Sequence, residues 1–539
     1  MTVKFPLTRR AALGGASALA GLSAIAVAGQ RAGAQTPQPK KGGTLTFIQN
    51  SEPQTLVALT TVATPALTVS AKVTEGLLEY DYDINPRPAL ATEWSISPDG
   101  RVYTFKLRPN VKFHDGKPFT SADVAYSIQL LKTVHPRGRN TFANVTEVKT
   151  PDPLTAIIEL SRPAPFLIKA LTAAEAPMMP RHIYEGTDPL ANQNGNAPIG
   201  TGPYRFKEWA RGSHIVYERN PDYWQPDLPR VDRIVYKILP DTGARSIAFE
   251  NGSGDLGYRT PVALADLDRL KKVPHLVFET KGTSYSYNVS CLQFNLDSQY
   301  FKHLKVRQAV AHAIDRALLI KTVAYGYGTV CYSPIAPGLK AFHDPSPSPY
   351  TLDLKKAEAL LDEAGFPRGD NKIRFRVPLD YNPIGDESRR ASEFFRAALG
   401  RIGIGVDVRA ADASAFVKRI YTDREFDFTY NGHSNLFDPT VGVQRIYWSK
   451  NFKKGVPFSN GSHYDNPKVD ALLEGAAVEI DPVKRKQMFF EFQKIVAEEI
   501  PDIPLYSPLY LTIKNKRVHD ESLTADGVEA NMAQVWLDA

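Results

Sequence analysis

A run dense in turn formers and hydrogen-bonding side chains is Tyr430 to Pro439, YNGHSNLFDP, directly after the strand-like Phe426-Asp427-Phe428. Asn431, His433, Ser434, Asn435 and Asp438 offer amide, imidazole, hydroxyl and carboxylate groups, and Gly432 leaves the backbone open to close approach. Groups of these types read a small polar molecule; they do not form a bond-breaking arrangement. Composition alone leaves a solvated loop equally open, and Asp438 before Pro439 also has the pattern of a helix cap. No G-x-S-x-G, H-E-x-x-H or P-loop occurs anywhere. The pair Glu498-Glu499 reads as the solvated face of a helix. The 11 histidines are scattered, without an H-x-x-x-H pair or a Cys-His cluster in sequence, so no metal site and no cofactor is expected. The competing idea, that His433 touches a metal chelate, stands on one residue. Trp448, after this segment, is open to core packing or to stacking on a ligand. Cys291 and Cys331 are the only two cysteines. In an oxidising compartment they are expected to form one disulfide, the alternative being two buried thiols.

The elements that must hold such a segment are those of a large, multi-domain chain. With 539 residues, 43% hydrophobic and 23% charged, two or three globular domains are expected. The net charge is +7, but Lys4, Arg9, Arg10 and Arg31 belong to the first 34 residues; subtracting those four from +7 leaves +3. Basic and acidic residues alternate elsewhere, so no nucleic-acid partner is expected. Thr8-Arg9-Arg10, an apolar Ala/Gly-rich run and Ala32-Gly33-Ala34 read as an export signal, twin-arginine-like, cleaved near Ala34. The mature protein is therefore expected in the periplasm.

Local patterns mark the order of elements. Trp94 and Ile96, then Val102, Tyr103, Phe105 and Leu107, predict two strands joined through Pro98-Asp99-Gly100. Thr120 and Asp123 predict a helix start before Val124 and Ile128. A short helix is predicted over 69–76, a tight turn at Gly200-Thr201-Gly202-Pro203, amphipathic helices over 352–364 and 387–399, and a strand-like end over 504–513.

Three passages carry a family resemblance: ALATEWSISPDGRVYTFKLRPNVKFHDGKPFTSADV from Ala89, GTGPYRFKEW with ERNPDYW from Gly200 to Trp224, and VRQAVAHAIDR from Val306. Together they resemble the extracytoplasmic solute-binding proteins of family 5, the peptide, nickel, opine and oligosaccharide receptors of ABC importers. Pro109-Asn110 stands where the family has x-Gly, and Ser121 where it has Ala. The resemblance implies an α/β, periplasmic-binding-protein type II-like two-lobed fold with a hinge and an extra inserted subdomain. Lobe I would comprise 35–79, 197–285 and 506–539, the inserted subdomain 80–196, and lobe II 286–505, with crossings near 283–288 and 501–508. It implies a monomer that closes on a small solute (a peptide, opine or oligosaccharide) and delivers it to ABC permease subunits without chemistry. A periplasmic hydrolase, and a sensor or chaperone on the same frame, are the alternatives.

The resemblance also places ligand contacts. Thr60, Thr61 and Thr64 fall in the loop that the family brings close to the ligand, and Tyr285 and Tyr287 fall at the first crossing. The run 430–439 aligns with the loop that reads the ligand in peptide receptors, and Asn435 takes the position of an Asp that binds the peptide ammonium group. An amide there removes a charge-assisted partner, about 1.5–3 kcal/mol. A modified peptide, an opine-like conjugate or a sugar-containing solute fits that amide as well as an ordinary peptide does.

Overall fold

Val102–Leu107 buries Tyr103, Phe105 and Leu107 and turns the residues between them outward, as its alternation predicts. It pairs antiparallel with Ala91–Ile96 through a turn in which Gly100 has φ +68°. Thr155–Leu160 and Val145–Asp152 complete a four-stranded sheet, order 91–96, 102–107, 155–160, 145–152. Helix Ser121–Thr133 starts where predicted; the Asp123 carboxylate accepts from the Thr120 amide at 2.9 Å. Asn110, in the family's glycine position, has φ +62°. Asn tolerates this left-handed conformation better than most residues, so the departure keeps the turn.

The computed structural model describes residues 38–282, 284–346, 349–383 and 386–538. The expected leader and its cleavage position lie outside them. Residues from Lys40 onward form one compact unit, organised around two further sheets. The seven-stranded sheet runs Leu276–Glu279, Thr512–Asn515, Leu256–Gly257, Thr44–Gln49, Arg233–Ile238, His214–Arg219, Tyr204–Ala210. Thr44–Gln49 is parallel to its two neighbours. The six-stranded sheet runs Gly328–Val330, Asp502–Pro508, Tyr287–Phe294, Phe428–Leu436, Phe375–Tyr381, Ile404–Arg409. Each of these two sheets has its own apolar core, around Phe47, Tyr217 and Tyr236 in one and Leu292, Phe294 and Phe428 in the other.

The turn at Gly200-Thr201-Gly202 is forced by close approach. A Cβ on Gly200 would lie 2.1 Å from the Val73 carbonyl oxygen, and one on Gly202 2.6 Å from that of Lys72. The chain here lies flush against residues 72–74, with the Gly202 amide donating to Val73. That contact also explains a shifted element. The helix predicted over 69–76 spans Thr64–Ser70, started by Pro65 and ended as 72–74 turns to bond with this segment. The predicted strand 504–513 is two strands in different sheets. Asp502–Pro508 pairs with Tyr287–Phe294 and with Gly328–Val330, so Tyr506 to Pro508 lie with the six-stranded sheet and the second crossing falls at 509–511. This corrects the boundary expected at 505/506. Among the described residues no helix is long and apolar enough to cross a membrane.

Candidate functional site

A cavity of about 630 Å³ lies between the two large sheets and is lined from both sides. One wall carries Asn50, Thr64, Thr68 and Arg259; the other carries Asn288, Ser290, Asn431, Arg390 and Tyr506, and Tyr510 comes from the crossing segment. The Tyr430 and Tyr506 hydroxyls lie 3.0 Å apart, and Asn288 Nδ2 donates to the Tyr510 hydroxyl at 3.4 Å. Arg259 donates from Nη1 to Thr64 Oγ1 at 2.9 Å, and its guanidinium sits 4.9 Å from the Tyr510 ring centroid. Arg259 and Thr260 have φ +54° and +55°, two successive side chains held in the left-handed region. Thr260 is tied to the crossing by a 2.7 Å bond from its amide to the Leu511 carbonyl and a 3.0 Å bond from the Leu511 amide to its hydroxyl. Across the cavity, Arg390 donates to the Val323 carbonyl at 3.2 Å and lies 5.3 Å from the Tyr325 ring. Arg245 also lines the cavity, but its guanidinium is engaged by the carbonyls of Pro261, Leu239 and Pro240.

Residues 85–463 match the family model of bacterial extracellular solute-binding proteins, family 5. The chain belongs to this family. Among its relatives, the glutathione-binding protein GsiB of Escherichia coli (strain K12) is 27% identical over 438 residues, covering 80% of this chain and 82% of GsiB. Among solved structures, the oligopeptide-binding protein AppA from Bacillus subtilis, in complex with a nonapeptide, superposes with a TM-score of 0.78 at 25% identity, over 93% of this chain and all of AppA. NikZ from Campylobacter jejuni, in complex with Ni(L-His), gives 0.76 at 25% identity over 91% of this chain and 97% of NikZ. The two-lobed architecture expected from the resemblance is the fold observed.

Within that family-5 frame the expected ligand residues divide. Thr64, Asn431 and Gly432 line the cavity. Asn431 is held by Asn382, which donates to its Oδ1 at 3.1 Å, and by its own Nδ2 donating to the Tyr421 hydroxyl at 2.9 Å. The others are committed elsewhere. Asn435 is fully buried, accepts from the Ala336 amide at 2.6 Å and donates to the Pro334 carbonyl at 3.1 Å. Asp438 caps helix Pro439–Gly442 and forms a bidentate pair with Arg485 at 2.7 and 2.8 Å. Ser434 meets Ser286 at 2.9 Å. Tyr285 donates to the Lys169 carbonyl at 2.6 Å and stacks on Phe437. Tyr287 packs flat against Gly338, Thr61 accepts from the Ala63 amide, and Trp448 donates to Glu474 at 2.8 Å. Thr60 is half-buried outside the cavity wall.

The expected disulfide is corrected. Cys291 and Cys331 are free, buried thiols, and Cys331 Sγ donates to the Ser333 carbonyl at 3.0 Å. His433 is buried on the face of its strand away from the cavity, and burial, aided by Arg445, drives its pKa down to about 3. There it lies beside Cys291 and Asp502. Burial pushes the Asp502 carboxyl up to about 7, against a 2.6 Å bond donated by the Tyr447 hydroxyl. Arg259, Arg390, Tyr506 and Tyr510 were not singled out by sequence. They are dispersed single residues with no local pattern, and only the meeting of the two sheets gives them a shared purpose.

Proposed function

We propose that this chain is an exported receptor that closes on a small carboxylate-bearing, peptide-like solute and presents it to the permease of an ABC importer. The observation that carries the ligand class is the pair Arg259 and Arg390, one on each wall. Both guanidinium groups line the cavity; Arg259 donates to the Thr64 hydroxyl and Arg390 to the Val323 carbonyl, and Arg259 also feels the charge of the buried Glu529 carboxyl. A guanidinium keeps its charge at any ordinary pH and matches a carboxylate in planar, bidentate geometry. A solute whose carboxylate groups meet both walls gains contacts only in the closed arrangement, which is what drives closure. The volume is in the range of about 300–1,000 Å³ that encloses small molecules. The glutathione named for GsiB, a peptide with free carboxylates, has this chemistry. The paired left-handed residues Arg259 and Thr260 support the assignment, since such conformations persist where the surroundings hold a functional group in place.

The test is a binding panel of glutathione and tripeptides with free or amidated C-termini, read by calorimetry and thermal shift. Free-carboxylate peptides should bind and raise Tm, and amidation should lower affinity at least about tenfold. Equal affinity for both forms would overturn the ligand class. Mass spectrometry of the recovered ligand separates binding from the hydrolase alternative; a cleaved product that accumulates with time would sink the receptor reading.

A further inference from the structure

Behind the six-stranded sheet, on the face turned away from the solute cavity, three side chains from three adjacent strands converge. Cys291, His433 and Asp502 bring a sulfur, a ring nitrogen and a carboxylate oxygen within 4.8 Å of one another, all buried. The pairing explains the meeting. Val289 lies opposite His433, Cys291 opposite Asn431 and Pro504, and Gln293 opposite Thr429 and Asp502, so the alternation of three strands turns these residues to one face. Ser290, Gly432 and Tyr430, from the intervening positions, line the cavity on the other face; Asn431, level with Cys291, borders the cavity as well but turns its Nδ2 to the Tyr421 hydroxyl.

Several polar atoms on this face lack partners among the described residues. Neither ring nitrogen of His433 has one, nor does Asp502 Oδ1, nor either end of the Gln293 amide, nor Thr429 Oγ1. Buried polar groups without partners are costly, and a cluster of them on one face calls for a shared one. We propose that Cys291, His433 and Asp502 bind a zinc ion, with the Gln293 amide oxygen as the neighbour placed to offer a fourth ligand. Thiolate, imidazole and carboxylate are the donor set zinc takes, and the thiolate disfavours calcium and magnesium. The ion's two positive charges balance one thiolate and one carboxylate around a neutral imidazole, leaving the interior uncharged. On loading, the Cys291 thiol proton and any proton held by the Asp502 carboxyl leave to solvent as the sulfur–metal and oxygen–metal bonds form. Zinc bond lengths of about 2.0–2.3 Å require donors about 3.3–3.8 Å apart, so the three groups close by about 1 Å through small rotamer changes. The role is to clasp the strands of the six-stranded sheet; the solute does not reach it.

The site is enclosed, so the mature chain is refolded from guanidinium with zinc or cobalt(II) and then dialysed free of loose metal. One retained metal per chain is expected, with a thiolate-to-cobalt charge-transfer band that Cys291→Ser abolishes and Cys331→Ser keeps. Zinc should raise the Tm of the unaltered chain and leave that of Cys291→Ser unmoved. If Cys291→Ser does not refold, His433→Gln and Asp502→Asn serve in its place, with loss of retained metal as the expected reading. No retained zinc, a band that survives Cys291→Ser, or a Cys291–Cys331 disulfide in the unreduced peptide map would each overturn the assignment.

Discussion

Removing the Asp438 carboxylate while leaving Arg485 in place strands a guanidinium in a nearly dry interior, since the two side chains are 0% and 6% exposed. Breaking one partner of such a pair costs about 3–5 kcal/mol, far more than the pair contributes over an apolar substitute. Asp438→Asn should therefore lower the denaturation midpoint sharply, and adding Arg485→Leu should recover much of the loss. Unchanged guanidinium unfolding curves for Asp438→Asn would show that the pair is solvated. Glu75 gives a pH-dependent counterpart. Burial raises its carboxyl to about 7, while bonds from the Tyr223 hydroxyl (2.7 Å) and Trp224 Nε1 (3.1 Å) pull the other way. A carboxyl whose folded pKa lies above its unfolded value stabilises the fold below about pH 4.5, and that contribution is lost as pH rises through about 7. Glu75→Gln keeps an acceptor for both donors and removes the titration. Its stability relative to the unaltered chain should climb between pH 4.5 and 7, by about 1–3 kcal/mol, and then level off. A difference that stays flat from pH 4.5 to 8 would contradict this.

At the scale of elements, what could be read from sequence was what short-range geometry dictates. The 91–107 hairpin, the capped helix at 121 and the Gly200–Gly202 turn each rest on neighbours in the chain, and each is present. Asn110 even shows why its family position favours glycine. The site was legible only in part, because its walls come from distant segments that meet through sheet order. The same limit hid the Cys291–His433–Asp502 cluster, whose members are far apart in sequence and aligned only by strand register. Strand Phe428–Leu436 shows the consequence most directly. Its Asn431 and Gly432 reach the cavity, while Asn435, expected at the ammonium-binding position, fastens the strand end to residues 334–336. Asn435→Asp would set a carboxylate against the Pro334 carbonyl oxygen and lose the amide donor. It should cost about 1–3 kcal/mol of stability and bring no gain in affinity for free-amine peptides. Tighter binding of any such peptide by the variant, in calorimetry, would return Asn435 to the cavity.

The whole molecule is two sheet-centred bodies joined by two strands of chain, at 284–287 and 509–511. Tyr285 stacks on Phe437 at 5.0 Å beside the first connection, and Thr260 grips Leu511 at the second, so both connections are anchored by defined contacts. Two anchored connections permit hinge bending and oppose twisting. If closure draws its energy from a solute that touches both walls, as proposed, Arg259 and Arg390 are charged groups on opposite walls that would sense it. If one molecule engages both, their contributions are coupled. Arg259→Ala and Arg390→Ala should each weaken binding of a free-carboxylate peptide by about tenfold or more, and the double variant should lose less than the sum. The shortfall, about 0.5–3 kcal/mol, measures the bridging. Scattering supplies the structural half of the same experiment. Saturating peptide should shrink the radius of gyration of the unaltered chain, and either single variant at matched saturation should shrink less, since one wall has lost its hold. Strictly additive losses with undiminished contraction would mean that the solute sits on one wall and that closure is driven by other contacts.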